Sequence, residues 1–329
     1  MKILITGATG YIGNLLAHKL ADTGHCVHAL IRNEKMAALL NHPNIEIFFG
    51  DINNKEEIRS AMRNCEQVYH VAGQVRAQLR DPSIMYKVNV EGTSNILDEA
   101  MDAGVSKVVY TSTCGVIGPG LKEPMTERDP RIIGYSLDYE LSKKMAEDIV
   151  HKYVAKGLNI VIVSPSKVYG PGKISHSLTY NAIIRKFLFS GVAMIPYPGH
   201  FQGCFGYSDD IVQGHILAME KGRIGEKYIL GGVNVSYKRF FQEIKKLCGN
   251  GRIIQVPKPI LKAWAYWQWL QYKILNKEPL FTPVIINHFY RNYIFSSEKA
   301  VRELGYQITP FEEAIQQTIH FLNPPDHAK

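Results

Sequence analysis

The sequence has no run of eighteen apolar residues, which excludes a conventional transmembrane helix. The N-terminus runs straight into "MKILITGATG" without an extended apolar stretch and a small-residue cleavage site, so no signal peptide is expected. Cysteine is sparse. Cys26, Cys65, Cys114, Cys204 and Cys248 are scattered, odd in number and free of any C-x-x-C spacing, which argues against a disulfide framework or a zinc site. No metal is therefore expected, and a reducing, cytoplasmic setting is. Internal repeats, low-complexity segments and nucleic-acid motifs are lacking too. The formal charge of +8 is spread along the chain, which speaks against DNA or RNA as a partner.

What is present is an alternation. Short apolar runs rich in β-branched residues at 2–6, 26–31, 45–49, 67–71, 107–112 and 159–164 read as buried strands. Helix-compatible segments at 12–22, 54–63, 84–103 and 137–156 lie between them. This pattern predicts an α/β fold, a doubly wound parallel sheet of the Rossmann type with helices on both faces. After about residue 165 the alternation is lost, at "SPSKVYGPGK". Helices are expected at 177–190, 209–221, 237–248, 258–275 and 311–322, and a strand at 226–230 that rejoins the sheet. The expected division is a dinucleotide-binding domain over 1–165, rejoined by 205–231. A smaller, mostly helical substrate-binding lobe would take 166–204 and 232–329.

"ITGATGYIG" puts Gly7, Gly10 and Gly13 at the first strand-to-helix junction. Glycines there permit a tight turn, a close approach to a pyrophosphate, and helix N-terminal N–H groups aimed at its charge. A second feature lies in "LDYELSKKMAED". Tyr139 and Lys143, four apart in a helical segment, fall on one face. Taken alone such a pair is ordinary surface. Beside a dinucleotide site it becomes chemistry, because hydride exchange with a carbonyl needs a proton moved at the same centre. A phenol of ordinary pKa, about 10, is a poor base near neutrality. A nearby ammonium, with the positive charge of oxidised nicotinamide, is expected to favour the phenolate and lower that value.

With Thr6 before it, the GxxGxxG turn resembles the extended branch of the short-chain dehydrogenase/reductase family, and the resemblance covers nearly the whole chain. It places Thr9, Tyr11 and Ile12 in the cofactor turn, Asp51 and Ile52 of "FFGDI" by adenine, and Val71, Ala72 and Gly73 of "HVAG" beside the cofactor. "VNVEGTSNILDEA" contributes Asn89, and "SPSKVYGPG", the loop after the catalytic segment, contributes Pro165, Ser166 and Val168. "VVYTSTCGVIG" puts the family's catalytic hydroxyl at Thr113, and "YELSK" is its YxxxK, so Tyr139 and Lys143 would be the catalytic pair and also touch the cofactor. Ser112 is the adjacent hydroxyl, but a strand would point it to the opposite face. In "YSDDIVQGH", Asp210 is expected to cap a helix.

Cofactor choice is read at the end of the second strand. NAD-preferring folds place an acid there, whereas "HALIRNEK" has Ile31 and then Arg32. A guanidinium pairs with a 2′-phosphate that a carboxylate would repel, and Lys35 could assist, so NADP(H) is favoured over NAD(H). Cys114-Gly115 after Thr113 departs from the family's 4,6-dehydratases, which carry an Asp-Glu pair there. "PGHFQGCFGYSDD" has Gly203 where its sugar-nucleotide epimerases carry an arginine, with Arg185 or Lys186 left to compensate. "VPKPILKAWAYWQWLQYKILNKEPLFTP" looks like 3-beta-hydroxysteroid dehydrogenases and dihydroflavonol-reductase-like proteins. Its stripe of Trp264, Trp267 and Leu270 is expected to be core, a lid over an apolar pocket, a homodimer contact, or a weak peripheral membrane contact flanked by Lys258, Lys262 and Lys273. The reading is an NADP(H)-dependent oxidoreductase acting on a steroid-, flavonoid- or lipid-like small molecule. A nucleotide-sugar epimerase is the alternative, and a non-catalytic NADP sensor a remote one.

Overall fold

A computed structural model describes residues 1–75, 81–121, 123–172, 180–275, 279 and 282–322. The first half of the chain alternates as its apolar runs predict. β1 (Lys2–Thr6), α1 (Tyr11–Asp22), β2 (Cys26–Ile31), β3 (Ile45–Phe49), α2 (Lys55–Met62) and β4 (Gln67–His70) come first. α3 (Ser83–Tyr86), α4 (Gly92–Asp102), β5 (Lys107–Thr111), α5 (Asp138–Ala155) and β6 (Ile160–Pro165) follow. The segment expected as one helix over 84–103 is broken by a π-turn at Lys87–Glu91.

Beyond β6 the chain weaves. β7 (Lys167–Tyr169), α6 (Tyr180–Ser190), β8 (Val192–Pro196) and β9 (Gln202–Tyr207) precede α7 (Ser208–Lys221) and β10 (Lys227–Leu230). Then come β11 (Val233–Ser236), α8 (Tyr237–Cys248), β12 (Arg252–Val256), α9 (Lys258–Leu275), α10 (Pro283–Phe289), α11 (Glu298–Leu304) and α12 (Phe311–Leu322). Residues 177–179 of the helix expected at 177–190 lie outside the described residues.

The main sheet has seven parallel strands in the order β3-β2-β1-β4-β5-β6-β10. Strand alternation divides its side chains between two cores. Ile3 and Ile5 of β1 pack with Leu16 and Leu20 of α1 and with Ile211 and Ala218 of α7. Leu4 packs on the other face with Ile58, Ile96 and Val150 of α2, α4 and α5. Strand order reverses between β1 and β4, which opens a crevice at their C-terminal ends, the usual ligand position in such sheets.

The lobe is helical with two small sheets that the sequence reading did not assign, β11-β9-β7 and β12-β8. Its core is aromatic: Phe205 stacks on Phe240, 4.3 Å between ring centroids, amid Tyr169, Tyr237 and Phe241. Nor does all of 232–329 stay in the lobe. α11 returns to α7 and β10, where Leu304 and Tyr306 join the core of the main sheet.

Candidate active site

The turn after β1 is shaped by contacts only glycine allows. Gly7 has φ +75°, and a Cβ there would lie 2.7 Å from the Ala72 nitrogen at the end of β4. A Cβ on Gly13 would sit 2.2 Å from the Gly7 carbonyl oxygen, so α1 packs directly on its own entry turn. At Gly10 a Cβ would meet only the Gly7 oxygen, at 3.2 Å; otherwise that side is open. Gly10 is the N-cap of α1 and supplies no side-chain cap, and the first turn has no acid. Open space in front of exposed helix N–H groups suits a pyrophosphate. Ile12 packs against the main-sheet core, and Thr9 completes the turn. Tyr11 turns away: its hydroxyl donates to the Gly170 carbonyl (2.6 Å) and accepts from Asn181 Nδ2 (3.2 Å). Toward a cofactor it offers only backbone.

At the other end of the crevice, Arg32 follows β2 directly and is 61 % exposed, its Nη1 3.7 Å from Asp51 Oδ2. The Asp51 carboxylate accepts from the Asn53 backbone and side chain, at 2.9 and 2.7 Å. Ile52 is buried beneath Gly92, where a Cβ would come within 2.6 Å of it. The backbone N–H of Lys35 is bound by Asn33, and the residue is exposed.

Between these ends the strand tips are stitched by a histidine that sequence reasoning passed over. His70 bonds Thr6 (2.7 Å) and Thr93 (3.0 Å), and Thr6 accepts from the Ala72 N–H (3.2 Å). Burial and the Lys143 charge hold His70 down to about 3, so it is a neutral structural bridge. Val71, Ala72 and Gly73 thereby line the crevice floor. The π-turn aims Asn89 at the same place: its amide brackets Gln74 (2.7 and 3.0 Å) and donates to Ser142 (2.9 Å). A Cβ on Gly73 would lie 3.3 Å from Asn89 Oδ1 and 3.9 Å from Lys143 Nζ, so glycine keeps the space beside both.

The two hydroxyls after β5 point to opposite sides. Ser112 donates to buried Glu147. Thr113 caps the turn at Cys114–Val116 by accepting from the Gly115 N–H (3.1 Å), and its hydroxyl is near enough to Tyr139 to favour the phenolate. Burial around the Tyr139 hydroxyl pushes its pKa up to about 12, only partly opposed by Thr113. Lys143 is buried one turn on, its Nζ 4.3 Å from the Tyr110 ring centroid. Burial brings its pKa down to about 7, opposed by Glu147. Without a dinucleotide charge beside it, burial dominates at the Tyr139 hydroxyl and runs opposite to the lowering expected from Lys143 and oxidised nicotinamide together. Pro165 ends β6, paired with Leu230 of β10, and Ser166 and Val168 follow as the chain leaves the sheet. Ser166 is anchored to the Leu230 carbonyl (3.0 Å), and Val168 packs against the main core.

A polar cluster flanks Tyr139 that no local motif announces, because its members span residues 131 to 293. Arg131 pairs with buried Glu140 at 2.6 Å and also donates to the Val116 carbonyl. His288 of α10 bonds Ser136 (2.8 Å) and Tyr293 (2.7 Å), with its Nδ1 3.7 Å from Glu140. Lys167 lies over the Tyr293 ring at 4.7 Å, its pKa lowered to about 8 by burial. The cluster fastens α10 to the start of α5. Asp210, expected to cap α7, instead sits inside its first turn and binds the Thr309 N–H and hydroxyl (2.8 and 2.6 Å).

Residues 3–231 match the NAD dependent epimerase/dehydratase family. The chain belongs to that family. It is 28 % identical to a putative dihydroflavonol 4-reductase of Synechocystis sp., across 99 % of this chain and 95 % of that one. It is 33 % identical to sterol demethylase protein B of Methylococcus capsulatus, over 77 % and 76 % of the two chains. Among solved structures, gox2253 superposes with a TM-score of 0.80 at 30 % identity, covering 97 % of each chain. UDP-glucose 4-epimerase of Thermotoga maritima shares the fold, with a TM-score of 0.80 at 23 % identity over 98 % of each. Together with relatives such as the 3-beta-hydroxysteroid dehydrogenase of Mycolicibacterium neoaurum, these matches make it an NAD(P)-dependent oxidoreductase of the extended short-chain type.

In this member of the epimerase/dehydratase family, two features of the lobe are largely apolar, although Lys186 lines the second of them. A Cβ on Gly203 would lie 3.1 Å from the Phe205 ring and 3.2 Å from Lys167 Cδ, so any side chain there would need both to give by a few tenths of an ångström. Arg185 lies over the Phe189 ring instead, 5.5 Å from its centroid. In the lobe, a cavity of about 170 Å³ is lined by Tyr180, Ile195, Tyr237, Phe241, Trp264 and Phe289. Trp264 thus faces in, whereas Trp267 is 58 % exposed and faces out. One trio with metal-ligand chemistry, Cys26, His28 and Glu46, lies at the opposite end of the strands from the crevice. There His28 is held by the Ala61 carbonyl (2.8 Å) and pairs with Glu46 (3.5 Å).

Proposed function

We propose that this family member is an NADP(H)-dependent reductase of an apolar ketone or aldehyde, run in the opposite direction as an alcohol dehydrogenase. The observation that carries the reading is Lys143 buried one turn beyond Tyr139 on α5, with Thr113 acting on the Tyr139 hydroxyl. The α1 N-terminus and Lys143 would hold the dinucleotide, with Arg32 on its 2′-phosphate; when bound, it supplies the hydride. Thr113 and Tyr139 converge their hydroxyls on the substrate oxygen and fix its position. As the carbonyl carbon accepts the hydride and the C=O π pair moves to oxygen, Tyr139 delivers its proton there, leaving an alcohol and a phenolate. A phenol at about 12 is fully loaded for that step at neutral pH. Lys143 stabilises the phenolate so formed and sets its return to the protonated state.

An apolar substrate is supported by the aromatic cavity, whose Phe289 shares α10 with His288 of the cluster beside Tyr139. The glycine at 203 speaks against a diphosphate-binding arginine. The test is NADPH consumption across a panel of sterol, flavanone and prenylated ketones, with UDP-sugars in parallel. Turnover of an apolar ketone is expected, reduced at least a hundredfold in Tyr139→Phe with NADPH affinity retained. Interconversion of UDP-sugars with cofactor retained through purification would assign the epimerase reading instead.

A further inference from the structure

α9 is a two-sided helix whose outer side is apolar. Ile260, Tyr266, Trp267, Leu270 and Ile274 are 43 % to 71 % exposed. Positions 260, 263, 267, 270 and 274 recur at alternating spacings of three and four, which makes one stripe down the helix. Inward, Ala265 is buried, and Leu261 and Trp264 line the lobe cavity. Met194 lines that cavity too and is itself exposed.

Charge says what the stripe meets. Residues 166–204 contain Lys167, Lys173, Arg185 and Lys186 and no aspartate or glutamate. Residues 232–275 contain eight lysines and arginines against one acid, Glu243. The charge read above as spread along the chain is therefore concentrated: these two segments together carry more positive charge than the whole chain's +8, and the remainder is slightly acidic. On α9, Lys262 and Lys273 border the apolar stripe, with Lys258 a turn before. Exposed tryptophan, tyrosine and isoleucine edged by lysine on an acid-free helix match a helix lying in a lipid headgroup layer. A second copy of the chain fits less well: two such lobes repel, and five side chains fall far short of the roughly 20–30 residues a side of a stable interface.

We propose that α9 docks the lobe on an anionic lipid surface, with the stripe among the acyl chains and the lysines at the headgroups. Docking of this kind is independent of the carbonyl chemistry at Tyr139. It also sets the cavity lined by Leu261 and Trp264 immediately behind the lipid-facing side.

The full-length protein is tested by flotation with vesicles of pure phosphatidylcholine and of phosphatidylcholine with 30 mol % phosphatidylglycerol, a probe composition of about one anionic lipid in three. Binding is expected on the anionic vesicles, weakening with salt. Lys262→Gln/Lys273→Gln should lower it roughly twenty- to thirtyfold, at about fivefold per lysine near the surface. Trp267→Ser/Ile274→Ser, at exposed positions, should lower it at least tenfold while leaving the far-UV circular dichroism and NADPH affinity unchanged. The proposal is overturned if wild type stays with neither vesicle, or if both variants bind like wild type. It is equally overturned if sedimentation shows a dimer that the Trp267→Ser/Ile274→Ser variant dissolves, which would give the face to a second copy.

Discussion

Replacing Glu147 with glutamine should destabilise the protein and disturb Lys143 at once. Glu147 lies one turn past Lys143 on α5, and its side chain is 3 % exposed. One carboxylate oxygen accepts from Ser112, beside the Thr113 that holds Tyr139; the other lies 2.6 Å from Lys227 Nζ on β10. Glutamine keeps the shape and can still accept from Ser112, but it leaves the Lys227 ammonium without its counter-ion. Stranding one member of a buried pair costs about 3–5 kcal/mol. Lys227 retains some access to water (18 %), which lowers the expectation to about 2–4 kcal/mol. Urea denaturation of wild type, Glu147→Gln, Lys227→Met and the double variant closes a mutant cycle, with a coupling of about 2 kcal/mol expected. Because Glu147 also raises the Lys143 pKa, Glu147→Gln should move the alkaline limb of turnover to lower pH, whereas Lys227→Met should not. A coupling under about 0.5 kcal/mol would mean that solvent screens the pair, and the argument from burial would fail.

Arg32→Ala should weaken NADPH binding roughly ten- to a hundredfold, the worth of a charge-assisted phosphate contact, and leave NADH nearly unchanged; Asp51→Asn, by releasing Arg32 from a carboxylate 3.7 Å away, should tighten NADPH. Equal titrations of both cofactors by wild type would refute the preference. Gly13→Ala should abolish dinucleotide binding and lower the melting temperature, since its methyl would overlap the Gly7 carbonyl at 2.2 Å; fluorescence titration and a thermal melt read both. Lys143→Met should be more stable than wild type, most of all below pH 7. Folding depresses the Lys143 pKa from its ordinary value to about 7. The unfolded chain therefore holds a proton that the folded chain lacks from about pH 7 up to that ordinary value, and wild-type stability rises across this window. The difference in melting temperature between the two proteins should shrink from pH 6 to pH 10.

Much of this was legible in the sequence because it is local. The runs at 2–6 and 26–31 coincide with β1 and β2, since a strand buried on both faces must be largely apolar, and the run at 45–49 coincides with β3, a half-exposed edge strand. The glycine turn and the Tyr139–Lys143 spacing need only neighbours along the chain. What stayed hidden depends on distant partners. β7, β9 and β11 are three to six residues long and form a sheet only across the lobe, so no periodicity marks them. The Arg131–Glu140–His288 cluster and the Asp210–Thr309 bond join segments up to about 150 residues apart. The raised Tyr139 pKa reflects burial, which residue spacing does not encode.

The chain's repeated passage between sheet and lobe has a mechanical consequence. It leaves the sheet after β6, returns for α7 and β10, leaves again at β11, comes back for α11 and ends in the lobe with α12. The lobe is thus laced to the sheet rather than appended to it. A protease that nicks any crossing but the last leaves two fragments interleaved through the sheet, so they should migrate together under native conditions and part only in denaturant. For the same reason the lobe is not a cassette that recombination could exchange at a single joint. A change of substrate among relatives built this way has to come by substitution within the lobe, one lining residue at a time.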